Sequence, residues 1–294
     1  MTPATGAPVP VIEVGGTHVS AAAVDPATWR VTQQSRTALD STADAETVID
    51  TLVRAGADLD VPLGSTWGIA MPDPFDYVNG VATFENVGKF DALYGLDIGA
   101  ALRERLPQRP GSLVFRNDAD AFVLGEWRLG AAEGFARCAG ITLGTGLGSG
   151  WLVDGRIVVE EPGVPELGRA RFLTVDGEGL EEVVSRRGIR RAYAAGGGDD
   201  ADVHEIAERA RAGEERAAAT LDRVFDALGR GIGPALRTFG ADVVVIGGSI
   251  ARSWPQLEPA FRRGLAWPDG PPVVLAQHPD DAALRGAAAA LSPG

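Results

Sequence analysis

Residues 141–154, ITLGTGLGSGWLVD, and residues 11–25, VIEVGGTHVSAAAVD, share one plan: an apolar strand, a turn built from glycine and threonine, and a second strand ending in Val-Asp. Superimposing Val24-Asp25 on Val153-Asp154 brings Gly15 onto Gly144 and Thr17 onto Gly146. The recurrence predicts two related halves. Glycine lets a main chain approach a ligand with no Cβ in the way, and successive backbone N–H groups in such a turn form a concavity for an anion. Two such turns facing each other would hold the phosphates of a nucleotide. One glycine turn alone signals only a hairpin. The run Gly144-Thr145-Gly146-Leu147-Gly148-Ser149-Gly150, however, is too rich in glycine for an ordinary strand unless something approaches its backbone. Strand-like residues follow it where a dinucleotide fingerprint requires a helix, and no GxxxxGK[ST] sequence occurs.

Outward from these hairpins the order is α/β. Residues 11–14, 19–24 and 28–35 read as strands, and residues 44–59 as a helix with an acidic first turn that suits the helix dipole. A strand at 66–70 runs into Met71-Pro72-Asp73-Pro74, an extended loop that could shape a pocket. After a helix at 96–106, a strand at 112–115 delivers Asn117-Asp118 to a helix at 119–129. The second half repeats the alternation, with strands at 242–246 and 272–276 and a final helix at 281–291. Residues 203–239 are helical in pattern, with breaks expected at Ala212-Gly213 and around 229–234.

Composition bounds the function. At 294 residues, with 45% hydrophobic and 23% charged content, the chain suits two folded domains. The formal charge of −13 repels nucleic acid and anionic membrane surfaces. Lys89 is the sole lysine, which excludes most lysine-based phosphate sites. With one cysteine, Cys138, neither an intrachain disulfide nor a cysteine-rich zinc site can form, and a cytoplasmic location is expected. The opening MTPATGAPVP lacks a basic, apolar leader, and no segment reaches the roughly 20 apolar residues that span a bilayer.

Asn117-Asp118 lies where a strand ends and a helix begins, the edge at which open α/β sheets place ligands. Asp118 reads as a helix N-cap and, since the two roles need not compete, as a base that accepts a proton from an alcohol during phosphoryl transfer, with Asn117 orienting a hydroxyl. Glu166, in the loop after the second hairpin, could accept from two vicinal hydroxyls, and Arg169 follows it. The apolar strand ending in Gly247-Gly248 would let an adenosine lie against the backbone. His18 is a candidate phosphate contact; the three histidines form no ligand-spaced pair, and Cys138 reads as packed and inert.

In this order the stretches resemble the ROK family of sugar kinases within the actin-like ATPase superfamily. They are Val14-Gly15-Gly16-Thr17 with Asp25, Gly68 through Asn86, Asn117-Asp118-Ala119 with Gly125-Glu126, the second glycine turn, Glu166-Leu167-Gly168, Ile246-Gly247-Gly248 and Leu284-Arg285-Gly286-Ala287-Ala288. The resemblance implies a two-lobed fold of the ribonuclease H type, with a nucleotide cleft between an N-terminal lobe at 1–129 and a C-terminal lobe at 130–280; the helix at 281–292 would return to the first. It implies an ATP-dependent kinase acting on a primary hydroxyl, with Asp118 as general base. Asn86, Asn117, Asp118, Glu166 and Arg169 would hold the sugar. Gly15, Gly16, Thr17, His18, Gly144, Thr145 and Gly146 would hold ATP phosphates with Mg²⁺, and Gly247 and Gly248 would flank adenosine. Members are commonly homodimers.

Three departures qualify the resemblance. Glu13 stands where the family has aspartate near the metal and phosphates, and Arg169 stands where many members carry a histidine shared between sugar and zinc. Residues 175–181, VDGEGLE, replace the cysteine cluster, so no zinc is expected. The arginine should alter recognition at one edge of the ring, which makes a C7-cyclitol or an N-acetylhexosamine an alternative to glucose. The family includes repressors, but the first motif begins at residue 11, leaving no room for a helix-turn-helix ahead of it. A non-catalytic sugar-binding protein is the remaining alternative.

Overall fold

The computed structural model describes residues 6–291. Residues 1–5 of the N-terminal tail, and residue 292 of the expected final helix, lie outside them. The described chain forms two compact units, residues 6–133 with 280–291, and residues 134–279.

The first unit is built on a five-stranded sheet of order β3-β2-β1-β4-β7. Its strands are β1 (Val9–Val14), β2 (His18–Val24), β3 (Val31–Ala38), β4 (Thr66–Met71) and β7 (Ser112–Asn117). A small hairpin, β5 (Phe75–Asp76) with β6 (Val81–Ala82), follows β4. β3 begins later than expected because Asp25 closes a turn, accepting from Ala27 N at 2.8 Å and Thr28 Oγ1 at 2.9 Å. The helices are α1 (Ala45–Ala57), capped by Asp44, α2 (Ile98–Arg105), α3 (Asp118–Arg128) and, from the end of the chain, α9 (Ala282–Ala289).

Alternation along β1 separates the two faces of this sheet. Ile12 and Val14 join the core with α1 residues Val48 and Leu52, whereas Val11, with Ala70 of β4, packs against Leu284 and Ala287 of α9. Glu13 has the parity of Val11, so it points to the face that carries α9. α9 docks on α3 through reciprocal glycines: a Cβ on Gly125 would collide with the Ala282 carbonyl, and one on Gly286 with the Ala121 carbonyl.

The second unit repeats the plan. Strands β8 (Arg137–Leu143), β9 (Leu147–Val153), β10 (Arg156–Ile157), β13 (Val243–Gly247) and β14 (Val273–Leu275) form a sheet of order β10-β9-β8-β13-β14. Numbered within each sheet, both read third, second, first, fourth, fifth, with the first, fourth and fifth strands parallel. The hairpins differ by one residue: Val14 faces Val19 across four intervening residues, and Leu143 faces Leu147 across three.

A short hairpin, β11 (Thr174–Val175) with β12 (Glu178–Gly179), precedes α4 (Leu180–Val184), α5 (Arg186–Ala195) and α6 (Val203–Arg211); α7 (Glu215–Phe239) and α8 (Trp254–Leu265) follow. The break at Ala212-Gly213 is present, with Gly213 at φ +95°. The break expected around 229–234 does not occur. α7 runs unbroken through Pro234, and Gly229 serves contact rather than termination: the backbone of α8 at Phe261, Gly264 and Leu265 lies where its side chain would be. Cys138 is buried and its thiol is pushed up to about 12, first by burial. Among the described residues no helix is long and apolar enough to cross a membrane.

Candidate active site

In the first unit, three adjacent parallel strands end at one edge of the sheet. β1 brings Glu13 and the turn Gly15-Gly16-Thr17-His18, β4 ends at Met71, and β7 ends at Asn117. This is the edge at which α/β sheets bind ligands. The turn is closed by Gly15 N donating to His18 O at 2.8 Å, and Thr17 Oγ1 lies 2.9 Å from His18 Nδ1. Among the described residues the N–H groups of Gly16 and Thr17 have no partner, so they can donate to an anion.

Asn117, not Asp118, caps α3. Its Oδ1 accepts from Ala119 N at 3.0 Å and Asp120 N at 3.2 Å, and its Nδ2 donates to the Tyr77 hydroxyl at 3.2 Å. Asp118 therefore occupies the first helical position, with Oδ1 accepting from Ala119 N at 2.8 Å. The N-cap role expected of Asp118 falls to its neighbour. Asn117 is 3% exposed, and one of its two amide hydrogens is taken by Tyr77.

Glu13 faces Ser20 of β2, which in turn faces Arg36 of β3. Burial pushes its carboxyl up to about 7; the charges of Asp118, Asp280 and Asp281 add to this, and Arg36 opposes them. The site is thus a concentration of carboxylates on the α9 face of the sheet, offset by one guanidinium. Hard oxygen donors with excess negative charge suit Mg²⁺. Among the described residues no three His, Cys, Asp or Glu side chains converge to chelate a metal, and Mg²⁺ held through one or two carboxylates, waters and substrate phosphates requires no such cage. Asn86 is exposed in the loop after β6, at φ +57°.

In the second unit, Gly144-Thr145-Gly146 and Gly247-Gly248 lie at one edge, because β8 and β13 are parallel neighbours in register from Cys138 to Thr142. Gly248, at φ +86°, leaves no room for a Cβ against the Leu143 backbone. The turn is held from two sides. Leu147 N donates to Glu181 Oε2 at 2.9 Å, and Arg186 N donates to Gly144 O at 3.0 Å. Thr145 and Gly146 N–H have no partner among the described residues.

Glu166 is exposed at the start of a single 3-10 turn, Glu166–Gly168, and Arg169 behind it is only 8% exposed. Buried Ser149 anchors this turn by donating to Gly168 O and accepting from Ala170 N, both at 2.7 Å; Trp151 Nε1 donates to Gly168 O at 3.1 Å. Residues 175–181 form β11–β12 and the start of α4. There Arg230 grips Asp176 bidentately at 2.7 and 2.9 Å.

Sequence reading missed Tyr77, Ser149, Trp151 and Glu181. Ser149 lies inside the quoted glycine run, and its alternation with inward residues of β9 is a usable signal. Tyr77 and Glu181 carry none, since only folding brings them to Asn117 and Leu147.

Two sheets of identical order, each with a glycine turn after its first strand, define the actin-like ATPase fold. The chain belongs to the ROK family, whose model matches residues 10–292. It is 33% identical over 212 residues to the glucokinase of Thermotoga maritima, a match spanning 63% of this chain and 64% of that protein. With the N-acetyl-D-glucosamine kinase of Pectobacterium carotovorum it shares 27% over 299 residues, 94% of this chain and 96% of the relative. The solved ROK hexokinase of Thermus thermophilus superimposes with a TM-score of 0.77 at 26% identity, covering 95% of this chain and 96% of that one.

Proposed function

We propose that this chain is an ATP-dependent, cytoplasmic kinase that phosphorylates a primary hydroxyl of a hexose, an N-acetylhexosamine or a related cyclitol. The observation that carries the reading is the placement of Asp118 in the first turn of α3, at the sheet edge shared with Gly15–His18, while Asn117 does the capping. The names of the relatives point to the same chemistry.

In this mechanism Asp118 accepts the proton of the acceptor hydroxyl as its oxygen attacks the γ-phosphorus and the bond to the ADP oxygen breaks. The N–H groups of Gly16, Thr17, Thr145 and Gly146 bind phosphate oxygens, and Gly247-Gly248 admits the adenosine. Asn117 orients the acceptor with its second amide hydrogen. Asn86, Glu166 and Arg169 grip the other hydroxyls, Glu166 from a turn anchored by Ser149. Glu13 would hold Mg²⁺ through water or phosphate, and that ion supplies charge neutralisation across the transferred group.

The test is ADP release with ATP and Mg²⁺ over glucose, mannose, N-acetylated hexosamines and cyclitols, with polyphosphate as a second donor. Turnover on at least one acceptor is expected. Silence across the panel with both donors would favour a non-catalytic sugar-binding protein.

A further inference from the structure

The loop Met71-Pro72-Asp73-Pro74 has no part in the assignments above, yet it leaves the sheet beside the proposed base. Met71 and Asn117 are register partners at the ends of adjacent parallel strands. One chain therefore reaches Asp73 two residues beyond the sheet, as the other reaches Asp118 one residue beyond it.

Tyr77 ties the two exits together. Its hydroxyl oxygen lies 2.7 Å from Asp73 Oδ1 and 3.1 Å from Met71 O, and it accepts from Asn117 Nδ2 at 3.2 Å. A phenol has one hydrogen to give, and the carboxylate at the shorter distance takes it. Burial, with the nearby charges of Asp73 and then Asp118, holds the phenol far above its ordinary titration range, so it stays a donor. The ring is fixed as well: Tyr77 packs on Phe75 at 5.5 Å between centroids, and Phe75 packs on Phe115 at 5.1 Å. Half-buried Asp73 is thus held in a set position toward the Asn117 side of the loop.

We propose that Asp73, positioned by Tyr77, is a further carboxylate of the acceptor site, in addition to Asp118 and Glu166, and selects acceptors that carry a hydroxyl or ammonium donor away from the hydroxyl that Asp118 deprotonates. A carboxylate offers about four acceptor positions, so it can bind several donors at once. Asp73 is a binding residue. Tyr77 is a positioning residue that acts through Asp73 and Asn117. The proposal rests on reading the chain as a kinase of polyols and adds the chemistry its acceptor must have.

The test compares wild type, Asp73→Asn and Tyr77→Phe. The readouts are kcat and KM for the best acceptor and its monodeoxy analogues, KM for ATP, and calorimetric binding of the acceptor without nucleotide. Asp73→Asn should raise the acceptor KM about tenfold or more, the loss expected for a hydrogen bond to a charged group, with kcat within about threefold and the ATP KM unchanged. One deoxy analogue should be penalised on wild type but no further on Asp73→Asn, as a shared contact requires. Tyr77→Phe should raise the acceptor KM and lower kcat together, since Asn117 loses its partner.

An acceptor KM within about twofold of wild type in Asp73→Asn, or equal penalties for every deoxy analogue on both proteins, overturns the proposal. The kinase reading fails separately. If wild type binds a polyol that Asp73→Asn binds at least tenfold more weakly, yet never releases ADP, the acceptor site stands and the kinase does not. If wild type binds no polyol, both fall.

Discussion

Met71 and Asn117 face each other as the last paired residues of two parallel strands, and the Tyr77 hydroxyl touches the backbone of one and the side chain of the other. That relationship puts two carboxylates, Asp73 and Asp118, just beyond one sheet edge. Neither the loop nor the helix could place its acid there alone.

Asp118→Asn should lower kcat by about 10²–10⁴, the range for losing a general base, with the ATP KM and the thermal midpoint close to wild type. Coupled ADP release measures it. Turnover within a few-fold of wild type would show that Asp118 is not the base.

Asn117 caps α3 through two backbone N–H groups. Asn117→Ala should cost about 1 kcal/mol in urea unfolding for the cap, with a further fraction for the bond to Tyr77. Asn117→Ser should recover the cap contribution while leaving the acceptor KM raised.

Glu13 sets a pH dependence whose sign follows from its raised carboxyl, at about 7 against an ordinary 4.5. The native state binds this proton more tightly than the unfolded chain. Its contribution is therefore fully present below about 4.5 and is lost as pH rises through about 7. Glu13→Gln should match wild type near pH 4 and exceed it at pH 8 by roughly 2 kcal/mol, allowing for solvent reaching a half-buried group. Urea midpoints at the two pH values decide it; an equal difference at both would assign the effect elsewhere.

Ser149→Ala removes two of the three hydrogen bonds that anchor the Glu166 turn, leaving that of Trp151 to Gly168 O, and strips the buried Ala170 N–H of its partner. A loss of about 1–3 kcal/mol is expected. The acceptor KM should rise more than the ATP KM, because the loosened segment carries Glu166 and Arg169.

Gly286→Ala places a methyl group against the Ala121 carbonyl, and Gly125→Ala places one against Ala282. Each should destabilise by about 1–3 kcal/mol. The double variant should cost less than the sum, since either change already separates α9 from α3. Strict additivity in chemical unfolding would refute the reciprocal packing.

Most strands and helices were legible because alternation and helical spacing are local properties. The misreading at 229–234 came from treating glycine and proline as breakers. In α7 Gly229 accommodates the backbone of α8, and a neighbour distant in sequence leaves no local trace. In the candidate site, Asn117-Asp118 and the glycine turns were visible as motifs. Which of the pair caps the helix was not, since both residue types do so and only backbone geometry separates them.

The sequence by itself determined the duplicated hairpin, the α/β order and the residue types available for chemistry, because each rests on local pattern and composition. Tertiary structure alone decided that Glu13 lies on the α9 face among other carboxylates, that Asn117 caps and Asp118 does not, and that Tyr77 joins Asp73 to Asn117 across forty residues of chain. Those outcomes depend on strand register and face, which long-range pairing sets and no short window of sequence encodes.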